Sequence, residues 1–100
     1  MALHYTLVGL TPTSDSWIPD YLGAVPALVE KHGGRYIVQT PEYERIEGEA
    51  DGPDPAMFVI LEWPSKEAEA AFFADPDYAP HHKARLEGAT NTAFSVPGVG

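Results

Sequence analysis

The sequence predicts an α+β fold with one four-stranded antiparallel sheet and helices on one face. Three observations lead there. Four short segments rich in β-branched, aromatic and aliphatic residues are bounded by turn formers, at residues 3–10, 35–40, 56–63 and 90–96. Helical spacing of apolar residues fills the intervals after the first and third of them. The first and third segments (LHYTLVGL and AMFVILEW) are apolar on both alternating faces, as suits central strands covered on both sides.

Each element can be justified in order. Residues 3–10 form a strand that ends at the turn-prone run Thr11-Pro12-Thr13-Ser14-Asp15-Ser16. Ser16 is a suitable N-cap for a helix running to about His32, whose apolar face is Ile18, Tyr21, Leu22, Val25, Leu28, Val29 and His32. Pro19 falls in the first turn, where its missing N–H costs little, whereas Pro26 is expected to kink the axis. Gly33-Gly34 stops the helix. Residues 35–40 form a second strand, which Pro41 marks as an edge or bulged strand; residues 42–47 are its expected continuation, before a loop at 48–55. After the strand at 56–63, Ser65 caps a helix with Ala68, Ala71 and Phe72 facing inward, and Asp75-Pro76 ends it. A short third helix from Asp77 to about Gly88 carries Tyr78, His81, His82, Arg85 and Leu86, ahead of the last strand at 90–96. The order βαββαβ is that of the ferredoxin-like sandwich. Helices cover one face of such a sheet, so the apolar character of the other calls for a second copy of the chain packed sheet to sheet, and a homodimer is expected.

Bulk properties narrow the function classes. A chain of 100 residues suits a single domain over 1–100. Fifteen acids against six bases give a formal charge of −9, which disfavours nucleic acid and anionic membrane surfaces as partners. The acids crowd residues 42–54, read as a solvated loop. With no cysteine, disulfides and thiolate catalysis are excluded. No signal peptide and no apolar run of membrane-spanning length is read, so a cytoplasmic location is expected.

Several residues could carry chemistry. Glu62 ends an otherwise apolar strand, where a carboxylate is either paired or perturbed by burial. Its strand runs antiparallel to the one beginning at Arg35, so a Glu62–Arg35 ion pair is the structural alternative to a general base. His32 and His82 are candidate acid/base groups. Tyr78, His82 and Arg85 share a helix stripe suited to a carboxylate or enolate, or else form a surface stripe with Tyr78 packed. Tyr5, Tyr21, Tyr36 and Phe58 are candidate walls of an apolar cavity. The four histidines lack the spacing of common metal sites, so no metal is expected.

Val25-Pro26, Lys31-His32-Gly33-Gly34-Arg35-Tyr36, Ile60-Leu61-Glu62-Trp63-Pro64-Ser65, Asp75-Pro76-Asp77-Tyr78 and Arg85-Leu86-Glu87-Gly88-Ala89 resemble the DUF1330 family over nearly the whole chain. The resemblance implies a small bacterial protein with the dimeric α+β barrel fold. That wider group includes cofactor-free oxygenases, isomerases and dehalogenases. It therefore suggests a cofactor-independent enzyme on a small, mostly apolar, anionic substrate, in a biosynthetic or catabolic pathway. The catalytic set would be His82, Glu62 and His32, with Arg85, Tyr78, Arg35, Tyr36, Tyr21 and Tyr5 around the substrate. The rival is a dimer that binds a ligand or serves structure without catalysis.

Overall fold

A computed structural model, describing residues 2–99, carries the elements β1 (His4–Pro12), α1 (Ile18–Lys31), β2 (Arg35–Thr40), β3 (Met57–Trp63), α2 (Lys66–Phe73), α3 (Ala79–Gly88) and β4 (Ala89–Pro97). The strands make one antiparallel sheet in the order β2-β3-β1-β4, the ferredoxin-like arrangement. The two central strands, β1 and β3, are the two whose sequences are apolar on both faces. β2 is an edge strand, and its register shifts between Tyr36 and Val38. The expected continuation through 42–47 is not strand. There the chain folds back instead: the Tyr43 ring packs edge-on against Phe58 at 4.6 Å, and Arg45 pairs with Asp54.

Strand parity divides the molecule in two. His4, Thr6, Val8 and Leu10 of β1 and Val59, Leu61 and Trp63 of β3 are buried beneath the helices, with Val25, Val29, Phe72 and Tyr78 packed over them. The alternate residues Tyr5, Leu7, Phe58, Ile60 and Glu62 face the other way, where no helix covers them, and Phe94 of β4 pairs with Leu7 while 60% exposed.

Local chemistry explains the helix limits. At the end of α1, Gly33 takes φ 80°, its N–H donates to the Glu30 carbonyl at 2.9 Å, and the Gly34 N–H donates to that of Val29 at 2.9 Å. This is the paired-bond glycine stop that the Gly-Gly sequence suggests. Gly34 must also be small, because a Cβ there would stand 2.6 Å from the Trp63 ring. Ser65 caps α2, its Oγ accepting from the Ala68 N–H at 3.1 Å. Ser16 does not cap α1. The helix starts two residues later, after Trp17, whose indole N–H donates to the carbonyls of Ser14 at 2.9 Å and Gly88 at 3.0 Å. The Gly88 carbonyl also accepts from the N–H groups of Thr13 and Ser14, so a single oxygen ties the β1–α1 loop to the end of α3. Pro26 lies inside α1 on its exposed side.

The turn between α2 and α3 is fixed by Asp75. Its carboxylate accepts from Lys31 Nζ at 2.8 Å, His32 Nε2 at 2.7 Å and the Asp77 N–H at 2.9 Å. Lys31, then His32, then the Asp77 amide hold the Asp75 carboxyl well below the usual carboxylate range. A depressed native pKa contributes stability above the unfolded value, near 3.9, and that contribution is lost as pH falls through the native value. Urea unfolding of the native chain between pH 3 and 7 should therefore show stability declining on the acid side of about pH 4. Asp75→Asn should be less stable at pH 7 and lose much of that acid-side decline. An unaltered profile would remove Asp75 as its source.

Candidate functional site

Between the sheet and α1, α2 and α3 lies a cavity of about 160 Å³. Val8, Leu10, Val59 and Leu61 form its floor, Ile18, Leu22 and Val25 of α1 one wall, and Phe72, Phe73 and Tyr78 another. Tyr21, Tyr36 and Trp17 complete an aromatic surround. Of the lining residues, Pro12, Leu22 and Gln39 are exposed, which puts the opening at the sheet end where β1 and β2 finish and β3 begins. The parity of β1 and β3 creates this space: every lining residue from those strands except Pro12 and Met57 is one of the buried, helix-facing set.

One charged side chain borders the cavity. Arg85 of α3 is only 5% exposed. Its Nη1 donates to Asn91 Oδ1 at 2.6 Å, while its buried Nε has no hydrogen-bond partner. Asn91 is held in turn, its Nδ2 donating to the carbonyls of Arg85 and Ala89. Among the described residues, no carboxylate lies within ion-pair distance of Arg85. A buried guanidinium without a counter-ion is costly, and structures rarely retain one without reason. Burial works against its charge, but Tyr21 and Tyr78 outweigh that and raise its pKa. The Tyr21 and Tyr78 hydroxyls are 3.0 Å apart. Burial, then Tyr78, pushes the Tyr21 hydroxyl far up, and the same two causes take Tyr36 to about 12. Both phenols therefore stay neutral at pH 7 and remain donors. The site pairs one fixed cation with neutral hydroxyls inside an apolar shell.

The residues expected to act together from sequence are dispersed. Tyr78, Arg85, Tyr21 and Tyr36 do line the cavity. Glu62 does not: it lies on the opposite face of the sheet, accepting from Arg35 Nε at 2.9 Å and from the Tyr5 hydroxyl at 3.2 Å. Arg35 and Tyr5 are its direct cross-strand neighbours, so the three form a row across β2, β3 and β1. The physical reason is parity, since Leu61 and Trp63 take the inward positions on either side of Glu62. His32 is held by Asp75 at the C-terminal end of α1, outside the cavity lining. His82 lies behind Tyr78, stacked on that ring at 5.0 Å and 11°, and it too is absent from the lining. Burial, then the Arg85 charge, lowers its pKa, so it is neutral at pH 7. The acid/base roles read for Glu62, His32 and His82 therefore find no geometric support at this cavity. Among the described residues, no carboxylate or imidazole lines it.

A second polar group escapes the sequence reading. Glu69 of α2 is 6% exposed and accepts from the hydroxyls of Thr6 and Ser95, the latter at 2.5 Å. Trp63 Nε1 donates to Thr6 Oγ1 at 2.9 Å. The Ser95 proton is then committed to Glu69, so the 2.6 Å contact between His4 Nε2 and Ser95 Oγ has the imidazole as donor. A signal for Glu69 was present: it stands three residues before Phe72, on the inward side of α2.

Fold and cavity together define a ferredoxin-like α+β protein with an apolar internal site and one buried cation. The family model described as a domain of unknown function (DUF1330) matches residues 4–99, and the chain belongs to that family. No curated protein matches the sequence. Among solved structures, a protein of unknown function from Rhodopseudomonas palustris superposes with TM-score 0.76 at 19% identity, covering 99% of this chain and 84% of that one. SnoaB, a cofactor-independent oxygenase from Streptomyces nogalater, superposes with TM-score 0.69 at 16% identity, covering 100% and 96%. A dimeric ferredoxin-like protein of unknown function from Thermobifida fusca gives TM-score 0.51 at 13% identity, covering 94% and 89%. At these identities the likeness shows the fold.

Proposed function

We propose that the chain binds a small, mostly apolar organic anion in the helix–sheet cavity and converts it without a metal or organic cofactor. The observation that carries this reading is Arg85, a buried cation that borders an apolar cavity and has no carboxylate partner among the described residues. Such a charge, beside neutral hydroxyls in a site of low dielectric, holds the single negative charge that a substrate brings with it, whether carboxylate, enolate or phenolate. A substrate that enters already ionised needs no base in the site, and isomerisation, cyclisation or oxygenation with dioxygen as the oxidant can each begin from a bound enolate or phenolate. Arg85 would be the electrostatic stabiliser, and the Tyr21–Tyr78 pair, in which one hydroxyl donates to the other, would offer its remaining proton as the orienting donor. The resemblance in fold to a cofactor-independent oxygenase is compatible with this chemistry.

A specific observation favours the non-catalytic alternative, a binding protein: among the described residues, no carboxylate or imidazole lines the cavity to remove a proton. The two readings separate experimentally. Small organic acids and neutral ring compounds are titrated against the ¹⁵N-labelled chain, and shifts centred on Tyr21, Tyr36, Phe73 and Arg85 are expected. No binding, or shifts only on the uncovered sheet face, would overturn the cavity reading. Turnover of a bound compound that persists after exhaustive EDTA dialysis supports the enzyme; binding without turnover supports the alternative.

We also propose that the uncovered sheet face is closed by a second copy of the chain. Leu7, Ile60, Phe58 and Phe94 present an apolar surface there, with Phe94 and Phe58 exposed. Light scattering should give a mass twice that of the 10.9 kDa chain, and Phe94→Asp should weaken self-association by about 10-fold or more. A native chain that is monomeric at high concentration would end this proposal.

A further inference from the structure

We propose that the cavity receives a single-ring monocarboxylic acid, its ring between the aromatic walls and its carboxylate toward Arg85 and the Tyr21–Tyr78 hydroxyl pair. This rests on the cavity being the functional site and adds the size, charge and shape of what enters it.

Size comes first. The volume, about 160 Å³, is close to the roughly 150 Å³ of an apolar cavity known to take up benzene, and well below the roughly 300–1,000 Å³ of sites for drug-sized ligands. One ring with a short substituent fills it. Two fused rings would require the walls to part, and those walls are the packed core itself, Phe72 and Tyr78 being nearly fully buried with rings 4.2 Å apart.

Shape follows from the lining. Tyr21, Tyr36, Phe72, Phe73 and Tyr78 offer ring faces and edges, which suit a flat ligand better than a branched aliphatic one. The polar groups are few. Arg85 and the two phenols stand together beneath α1 and α3, so a ligand held there has one polar end and an otherwise apolar body.

Charge is limited on both sides. One guanidinium neutralises one negative charge, and no second cation lines the cavity. The loop leaving β2 carries Glu42, Glu44, Glu47, Glu49, Asp51 and Asp54 with Arg45 the only base, and it packs through Tyr43 on Phe58 of the uncovered sheet face. The net charge of −9 opposes the approach of a multiply charged anion such as a phosphate or dicarboxylate more than that of a monoanion. A planar carboxylate also matches the fork of an arginine, whose Nη1 is already taken by Asn91.

The test uses the full chain with benzoate, toluene, 2-naphthoate and phthalate as probes, read by ¹⁵N shifts of cavity residues and by calorimetry. Benzoate is expected to bind about 10- to 100-fold more tightly than toluene, with 2-naphthoate and phthalate weaker than benzoate. Arg85→Met should bring benzoate down to the affinity of toluene and leave toluene unchanged. Tyr21→Phe, a milder variant, should weaken benzoate about 3- to 10-fold. If toluene matches benzoate, or phthalate exceeds it, the monocarboxylate assignment is overturned while the cavity remains the site. If 2-naphthoate binds as well as benzoate, the single-ring limit is overturned. If none of the four reaches the cavity, both this inference and the reading beneath it fall.

Discussion

Arg85→Met should leave the chain as stable as the native protein or more so, while removing its capacity to hold an anion. The usual consequence of deleting a buried charged side chain is a large loss, because its partner is left unpaired in a low-dielectric interior. Arg85 has no such partner among the described residues. It lies 5% exposed, its Nε is unsatisfied, and what it would forfeit is the bond to Asn91 Oδ1 and the favourable influence of the Tyr21 and Tyr78 hydroxyls. Asn91 is partly exposed, so water can replace that donor. Against this, methionine, though smaller, sets apolar atoms against an apolar cavity and removes the desolvation cost of a charge. The expected change is between zero and about 1 kcal/mol of added stability, worth roughly 4–8 °C in Tm for a chain of this size. Urea and thermal unfolding of the two proteins at pH 7 decide the matter. A loss above about 2 kcal/mol would make Arg85 a structural strut and withdraw the main support for the cavity as a functional site. A gain in stability coupled to loss of binding is the trade-off that sites built for ligands commonly show.

The second large effect concerns stability alone. Glu69→Ala should cost on the order of 3–5 kcal/mol. The Glu69 side chain is the acceptor for two hydroxyls, those of Thr6 and Ser95, and through Thr6 it orients the donor from Trp63. Truncation leaves the buried Thr6 hydroxyl proton without its acceptor, at roughly 1–3 kcal/mol, and opens a void at a 6% exposed position, while the exposed Ser95 hydroxyl can turn to His4 Nε2 or to water. Domains of this kind retain only about 5–15 kcal/mol, so the variant would be near its limit at 37 °C. The denaturation midpoint should fall with the m-value unchanged. Glu69→Gln keeps the shape and one acceptor and should cost less than half as much. A double-mutant cycle with Thr6→Val should show coupling of about 1 kcal/mol or more, whereas strict additivity would mean the contact contributes little.

Much of the architecture is legible in the chain because it is encoded locally. Gly33-Gly34 ends α1 by a bond pattern that needs only the glycine before Gly34 to take a positive φ. Ser65 caps its own helix, and the apolar runs of β1 and β3 mark them as central. The Arg35–Glu62 pair follows from antiparallel strands whose ends must meet. The candidate site is less legible, and the failures have definite causes. A strand apolar on both faces gives no hint of which face the helices cover, so the inward or outward sense of Glu62 could not be read. Tyr78 and His82 are neighbours on a helix by spacing alone, but spacing does not say that the tyrosine takes the inner position and screens the imidazole. Ser16 looks like a better cap than Trp17, and loses because the indole binds a carbonyl 71 residues away. The Glu69 contacts join α2 to Thr6 and Ser95, whose meeting is a property of the finished sheet.

The two-sided greasiness of β1 and β3 has a consequence for how this protein avoids folding wrongly. In a sheet with one wet face, sliding a strand by one position is ruled out because it would turn every apolar side chain into water. Here such a slip would exchange one oily set for another: Leu7 and Ile60 for Val8 and Leu61. Hydrophobicity alone leaves the alternatives nearly degenerate. What distinguishes them is the handful of polar side chains at the ends of the strands. A displaced β3 would part Trp63 from Thr6, and Glu62 from both Tyr5 and Arg35. The misaligned chain would turn Glu62 beneath the helices without its partners and leave the buried Thr6 without the indole donor, at roughly 1–3 kcal/mol apiece. These few polar contacts thus act as proofreaders of strand alignment, separating the native pairing from near neighbours that the oily residues scarcely tell apart.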